Sequence, residues 1–260
     1  MTGNKGRVGA ILQARDRRIF GDLAKLGVID REMSRLSGPF GSATQVKLRL
    51  LELTRAKFLS RSFVGTISGG RKAVYRLAPK GAAAIGFQSR PVARKRGGYV
   101  RSDMFLDHQL QTNALLLRAK YQPIPVSGAT FREFQTFSEP LSKMIPLIPD
   151  AYLEVETASG IRAMFLEVDL GTEPLRIWEQ KVRRYLHLAA SGEFPKLFHQ
   201  AQFRVLVVTD SERRLSTIQR VVGRSTDKIF WFATFDRINR DGLWSSVWLR
   251  PVGDQRLSLL

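Results

Sequence analysis

Residues Ile148–Leu188, IPDAYLEVETASGIRAMFLEVDLGTEPLRIWEQKVRRYLHL, decide the fold. Leu147–Val155 and Ile161–Leu170 are apolar runs on either side of Gly160 and read as an antiparallel hairpin. From about Pro174 the spacing becomes helical, with proline in the first turn, where a missing N–H does no harm. Side chains alternate along an extended strand, so Phe165, Glu167 and Asp169 share one face while Leu166, Val168 and Leu170 share the other. Two carboxylates on one face of a core strand need a cation, a basic partner or water, because an uncompensated buried carboxylate is costly. On the helix, Lys181 has Ile177, Trp178 and Tyr185 as its i−4, i−3 and i+4 neighbours, which sets it on or beside the packing face.

Asp150, Glu167 and Asp169 are therefore candidate ligands for a hard divalent cation, Mg2+ or Mn2+. Lys181 is the candidate cation for a phosphate transition state or for activating water, and the metal would lower the pKa of that water. The same acids can instead pair with Lys181 and arginines in a structural network. Tyr185, His108 and Glu133 are accessory candidates, although a histidine on an apolar helix is more often a packing residue. Glu154 and Glu156 share the parity of Asp150 but approach the turn, and are expected in solvent.

Outward from this stretch, Asp103–Leu117 reads as a buried helix and Thr130–Phe137 as a strand. Phe203–Thr209 is a near-continuous apolar strand, Arg213–Val222 a helix, and Ile229–Phe235 and Leu243–Leu249 late strands. An antiparallel opening followed by strand, helix, strand implies a mixed sheet with helices on both faces. Residues 103–260 are expected to be an α/β domain, and the whole chain α+β. Trp231, Phe232, Trp244 and Trp248 suit either a core or an interface.

Upstream, charge dominates. The chain of 260 residues carries a net +19. Through Arg101 there are 22 Lys and Arg against 5 Asp and Glu, a net +17, and only +2 beyond. Such asymmetry marks a polyanion-binding module joined to a balanced one, with nucleic acid the commonest partner. After a basic tail at 1–14, apolar spacing at Ile19, Phe20, Leu23 and Leu26 predicts a helix ended by Gly27. Asp30 is the expected N-cap of a second helix, and Ser42-Ala43-Thr44-Gln45 matches a capping box opening a third. Val46, Leu50, Leu51 and Leu53 are its inward stripe, leaving Thr44, Gln45, Lys47 and Arg49 outward. Two short strands, Phe58–Phe63 and Ala73–Leu77, surround a turn with Arg71 and Lys72, and Pro79–Ile85 closes the unit.

Three helices and a basic hairpin over residues 15–87 predict a winged helix-turn-helix that binds double-stranded DNA. Ser42, Thr44, Gln45, Lys47 and Arg49 would face the major groove, with Arg71 and Lys72 on backbone phosphates. Residues 88–102 read as a basic linker whose Arg94, Lys95 and Arg96 add non-specific phosphate contacts. The chain has no cysteine, which excludes disulfides and thiolate metal sites. No apolar run approaches a membrane span and the N-terminus lacks a secretory pattern, so the expectation is a cytoplasmic protein without membrane contact.

Pro149-Asp150 followed by Glu167-x-Asp169 resembles the PD-(D/E)XK nuclease superfamily, except that Asp169 stands where the pattern has lysine. Lys181 on the following helix suits the role of a displaced lysine. The basic unit, His108, Leu110 and Asn113 as H-x-L-x-x-N, then PD, EVDLGTE, and Lys181 with Tyr185 together are similar to the replication-relaxation family of plasmids and other mobile elements. The resemblance implies DNA binding in replication, relaxation or mobilisation of such an element and says less about catalysis. As an enzyme, the chain would nick or cut DNA with Mg2+ in its nuclease-like domain. The alternative is a non-catalytic accessory factor or transcriptional regulator. In that case the nuclease-like domain serves homodimerisation or contacts with other replication or mobilisation proteins.

Overall fold

A computed structural model of the chain describes residues 10–65, 70–88 and 103–260. Most of the basic tail, most of the linker with Arg94, Lys95 and Arg96, and the turn between the two upstream strands lie outside the described residues. The chain divides into two compact units, Met1–Ala114 and Leu115–Leu260. Among the described residues no helix is long and apolar enough to cross a membrane.

In the first unit, α1 (Ala14–Leu26) buries Ile19, Phe20, Leu23 and Leu26 and ends at Gly27, whose φ of 74° only glycine adopts readily. The strand β1 (Ile29–Asp30) leads into α2 (Arg31–Ser37), where Asp30 Oδ1 accepts from Met33 N at 2.9 Å, as the cap rule predicts. The helix α3 (Ala43–Arg55) starts at Ser42, whose hydroxyl accepts from Gln45 N at 3.2 Å. The reciprocal bond is displaced by one residue: Gln45 Oε1 accepts from Gly41 N at 3.0 Å. Strands β2 (Leu59–Gly65) and β3 (Arg71–Leu77) pair antiparallel, and β1 adds to β3, giving the order β1-β3-β2. The short helix α4 (Pro79–Ala84) follows.

The helix α5 (Asp103–Tyr121) contributes residues to both units. Within the first unit, Asn113, buried, donates to Leu26 O at 3.2 Å and Val28 O at 2.7 Å. Gln109 Nε2 also donates to Leu26 O, at 3.2 Å. These amides satisfy the Leu26 carbonyl, which the end of α1 leaves without a helical partner, and the Val28 carbonyl just beyond it. The asparagine of H-x-L-x-x-N thus holds a helix end.

The second unit is built on a sheet of β4 (Thr130–Thr136), β5 (Ala151–Thr157), β6 (Gly160–Asp169), β7 (Phe203–Thr209) and β8 (Phe230–Thr234), in that order. β4, β5 and β6 are antiparallel neighbours, whereas β6, β7 and β8 run parallel. The parallel strands are linked through α6 (Leu175–Ala190), α7 (Glu193–Phe198) and α8 (Glu212–Gly223), and β8 runs into α9 (Phe235–Asp241). Trp178, Val182, Tyr185 and Leu188 of α6 and Leu215, Ile218 and Val222 of α8 share one core with Phe165, Val205, Val207 and Phe230. α6 and α8 therefore lie on the same face, as right-handed crossovers advancing in one direction require. On the other face the Arg204 and Arg250 guanidiniums sit 4.8 and 4.6 Å from the Trp231 ring centroid. Arg204 also donates to Leu259 O, so the last residues of the chain meet this face.

The fold is α/β, as the periodicity predicts. The expected strand at Leu243–Leu249 does not form. Trp248 Nε1 donates to Leu243 O at 2.8 Å, which folds the segment back on itself after Gly242 at φ 96°. Only isolated bridges, Phe232 to Leu249 and Trp248 to Leu257, remain of that pairing. Trp231, Phe232, Trp244 and Trp248 are all buried, so they are core.

Candidate functional site

The register Ala151↔Leu166, Tyr152↔Phe165 continues to set Asp150 beside Glu167 at the end of the hairpin. Asp150 is half-buried, and its Oδ2 accepts from Val168 N at 2.7 Å. Phe165, Glu167 and Asp169 all face α6, as strand parity predicts. The Phe165 and Tyr185 rings are 5.5 Å apart, Tyr185 OH donates to Glu167 Oε1 at 2.6 Å, and Trp178 Nε1 donates to Asp169 Oδ2 at 2.6 Å. Lys181 leans inward as its neighbours imply. Its Nζ lies 2.9 Å from Glu167 Oε2 and donates to the Glu173 carboxylate at 2.9 and 3.1 Å, with only 14% of its side chain exposed.

Asp169 is held differently. Arg214, from the first turn of α8, donates Nε to Oδ1 and Nη2 to Oδ2, both at 2.8 Å. Gly171 N adds a bond to Oδ1 at 2.8 Å. With Trp178, each oxygen accepts two hydrogen bonds. Arg214 Nη2 also reaches Glu173 O at 2.5 Å, so the arginine ties the β6–α6 loop to α8. That loop turns through Gly171 at φ 79°, where a Cβ would stand 3.1 Å from an Asp210 oxygen.

These surroundings set the protonation states. Complete burial pushes the Glu167 carboxyl up to about 7, helped by Asp150 and opposed by Lys181 and the Tyr185 hydroxyl. Burial opposes the charge of Lys181, but Glu167, Asp150 and Glu173 outweigh it and hold the ammonium above its ordinary range. Burial also acts against Asp169, yet the bonds from Arg214, Trp178 and Gly171 keep it below the usual carboxylate range. Burial and the adjacent Glu167 raise Tyr185 far above a free phenol, so it acts as a donor.

The expected metal set does not fit. Asp150, Glu167 and Asp169 do not converge as a three-carboxylate centre, because both Asp169 oxygens are saturated by the four donors above. Among the described residues no group of three or more His, Cys, Asp or Glu is arranged to hold a metal ion. The network of acids, Lys181 and an arginine, the alternative that the sequence left open, is what forms. Arg214 was absent from the sequence reading; its partner is 45 residues distant, and the only hint was the Ser211 cap that sets it in a first helical turn.

The accessory candidates lie apart from this cluster. Glu133 is exposed on the edge strand β4, opposite Glu154. His108 is half-buried in the part of α5 that belongs to the first unit. Glu154, expected in solvent, is 3% exposed instead and accepts from Tyr152 OH at 2.7 Å. Glu156 is exposed, as expected.

In the first unit the outward set is Thr44, Gln45, Lys47 and Arg55 on α3, with Arg61 and Arg71 on the hairpin, all exposed. Ser42 and Gln45 are engaged in starting the helix. Lys72 pairs with Asp30. Arg49 is the correction: it points inward, 8% exposed, donating to Asp16 Oδ1 at 3.0 Å, Glu52 Oε2 at 2.6 Å and Ile11 O at 2.7 Å. Its position three residues after Val46 and four before Leu53 puts it on the buried stripe, and buried Asp16 supplies the counter-charge.

A model of the replication-relaxation family matches residues 20–199, from within α1 to just past α7. No curated protein and no solved structure matches the chain. The match spans the basic unit, H-x-L-x-x-N, the Asp150–Asp169 hairpin and α6, and the chain belongs to the replication-relaxation family.

Proposed function

We propose that the chain binds double-stranded DNA during replication or relaxation of a plasmid or other mobile element, through its first unit acting as a winged helix. The observation that carries this reading is the capped, outward face of α3 with Lys47 beside the hairpin cations Arg61 and Arg71, in a stretch through Arg101 with a net +17. Such cations release counterions from the phosphates and set affinity. The second unit then acts without catalysis, as a rigid body for contacts with a second copy or with other proteins at the same DNA. Asp169 closed off by Arg214 supports that role.

The test is binding of the full chain to a plasmid duplex across a salt series. Lys47→Ala and Arg71→Ala should each weaken binding several-fold and lower the slope of log K against log salt by about 1. Unchanged affinity and slope in both would overturn the reading.

One observation favours a second reading, metal-dependent nicking: Asp150 acts on both Glu167 and Lys181, so two acids and a lysine meet at one strand end. In that reading Asp150 and Glu167 are the carboxylates left to the site, and Lys181 beside Glu167 offsets phosphate charge. Nicking of supercoiled plasmid in Mg2+, abolished in both Asp150→Asn and Lys181→Met while DNA binding persists, would select it. Intact plasmid at stoichiometric protein selects the non-catalytic role.

A further inference from the structure

Between α3 and the β2–β3 hairpin the first unit has an open pocket of about 410 Å³. Its wall is aromatic and aliphatic, formed by Phe63, Tyr75 and Leu51, and Lys47, Arg61 and Arg71 contribute cations. The register Arg61↔Tyr75, Phe63↔Ala73 and Gly65↔Arg71 puts Arg61, Phe63, Arg71, Ala73 and Tyr75 on a single sheet face. Two acids also line the pocket, but Asp30 is paired with Lys72 and Glu32 with Arg31 at 3.1 Å. Among the described residues, those pairs leave the charge of Lys47, Arg61 and Arg71 for an outside partner.

Phosphate contacts alone do not explain the pocket. Phe63 is 48% exposed, a large ring left in water, with the Arg61 guanidinium 4.5 Å from its centroid. Burial and the nearby Arg61 and Arg31 charges act on the Tyr75 hydroxyl, so cations surround the aromatic wall. An aromatic ring with an arginine over one face, rimmed by further cations, matches an unstacked nucleotide: the base lies on the open ring face or on the guanidinium plane, and the flanking phosphates meet the cations.

We infer that this pocket takes one unpaired DNA base, so that the first unit prefers DNA carrying a gap, bulge or single-strand junction over a continuous duplex. The inference rests on the DNA-binding reading above and names the form of DNA that its surface recognises. It also suits replication and relaxation, in which strands are opened.

The experiment uses the full chain and three fluorescent probes of one sequence: a blunt duplex, the same duplex with a three-nucleotide gap, and the single strand. Base–aromatic stacking corresponds to roughly 5- to 150-fold in affinity, so the gapped probe should bind at least about fivefold tighter than the blunt duplex. Phe63→Ala should abolish that preference while blunt-duplex affinity stays within about twofold. Phe63→Tyr, which keeps a ring, should retain it. A 2-aminopurine in the gap should change fluorescence on binding to the wild type and not to Phe63→Ala. Equal affinity for blunt and gapped duplex, or a preference that survives Phe63→Ala, overturns this inference and leaves the DNA-binding reading standing. Failure to bind any of the three probes overturns both.

Discussion

Asp16 with Arg49 in the first unit and Asp169 with Arg214 in the second are the same chemical pair in two settings. Each joins a carboxylate that is at most 1% exposed to the Nε–Nη2 edge of a guanidinium on a distant element. The Asp16 pair is closed: Arg49 spends its remaining donors on Glu52 and a backbone carbonyl, and burial of the arginine is compensated locally. The Asp169 pair adjoins a second cluster, so that Asp150, Glu167, Asp169 and Glu173 share Lys181 and Arg214. Four acids share two cations there, and Glu167, the most deeply buried, is pushed up to about 7 first by its burial and then by Asp150, against the pull of Lys181 and the Tyr185 hydroxyl. A closed pair fixes structure, whereas the open cluster stays responsive to protons and cations.

That contrast predicts its largest effect at Arg49. Arg49→Met strands a buried carboxylate and should cost about 3–5 kcal/mol, read from urea unfolding. Arg214→Met should cost less, roughly 1.5–3 kcal/mol, because Trp178 and Gly171 still donate to Asp169. An equal or larger loss at Arg214 would break the distinction.

The next effect is a pH dependence confined to the second unit. The folded-state pKa of Glu167 lies above its unfolded value of 4.5, near 7, so the folded state binds the proton more tightly between those values. Its stabilising contribution is present below pH 4.5, is lost as pH rises to about 7, and stays lost above. At about 1.4 kcal/mol per unit the loss is at most roughly 3.5 kcal/mol. Glu167→Gln cannot ionise, so unfolding of wild type and variant at pH 5 and pH 8 should show the wild type declining relative to the variant. Parallel curves would mean that Lys181 already fixes Glu167 as a carboxylate. Tyr185→Phe sharpens the point, because the hydroxyl favours the ionised form. Its loss should move that transition to higher pH and cost about 1 kcal/mol at pH 8.

Periodicity carried most of this architecture. Alternation placed Phe165, Glu167 and Asp169 on the face that meets α6, and helical spacing leaned Lys181 towards them. Local chemistry fixed the starts of α2 and α3 through Asp30 and Ser42. The charge of Arg49 points it outward, but its spacing between Val46 and Leu53 sets it on the buried stripe, and the spacing wins because Asp16 supplies a buried counter-charge. Arg214 was illegible for a different reason: a pair spanning 45 residues exists only once β6, α8 and the loop at Gly171 have assembled. The Leu243–Leu249 segment has strand composition, but a local indole bond at Trp248 wins over strand pairing.

The smallest expected effect compares two serine caps, one in each unit. Ser42 accepts from Gln45 N at 3.2 Å and Ser211 from Arg214 N at 3.3 Å. Replacing either with alanine removes one cap bond and should cost about 0.5–1 kcal/mol. Similar losses of stability should have different further consequences. Ser42→Ala loosens the first turn of α3, beside Lys47, and should weaken duplex binding about twofold to fivefold, whereas Ser211→Ala loosens the turn that aims Arg214 and should leave DNA affinity unchanged. Easing the Arg214 clamp frees Asp169 to draw on the Glu167 cluster, so in Ser211→Ala the Glu167 transition should move as well. Equal DNA affinity for the two variants would mean that the start of α3 does not position its outward cations.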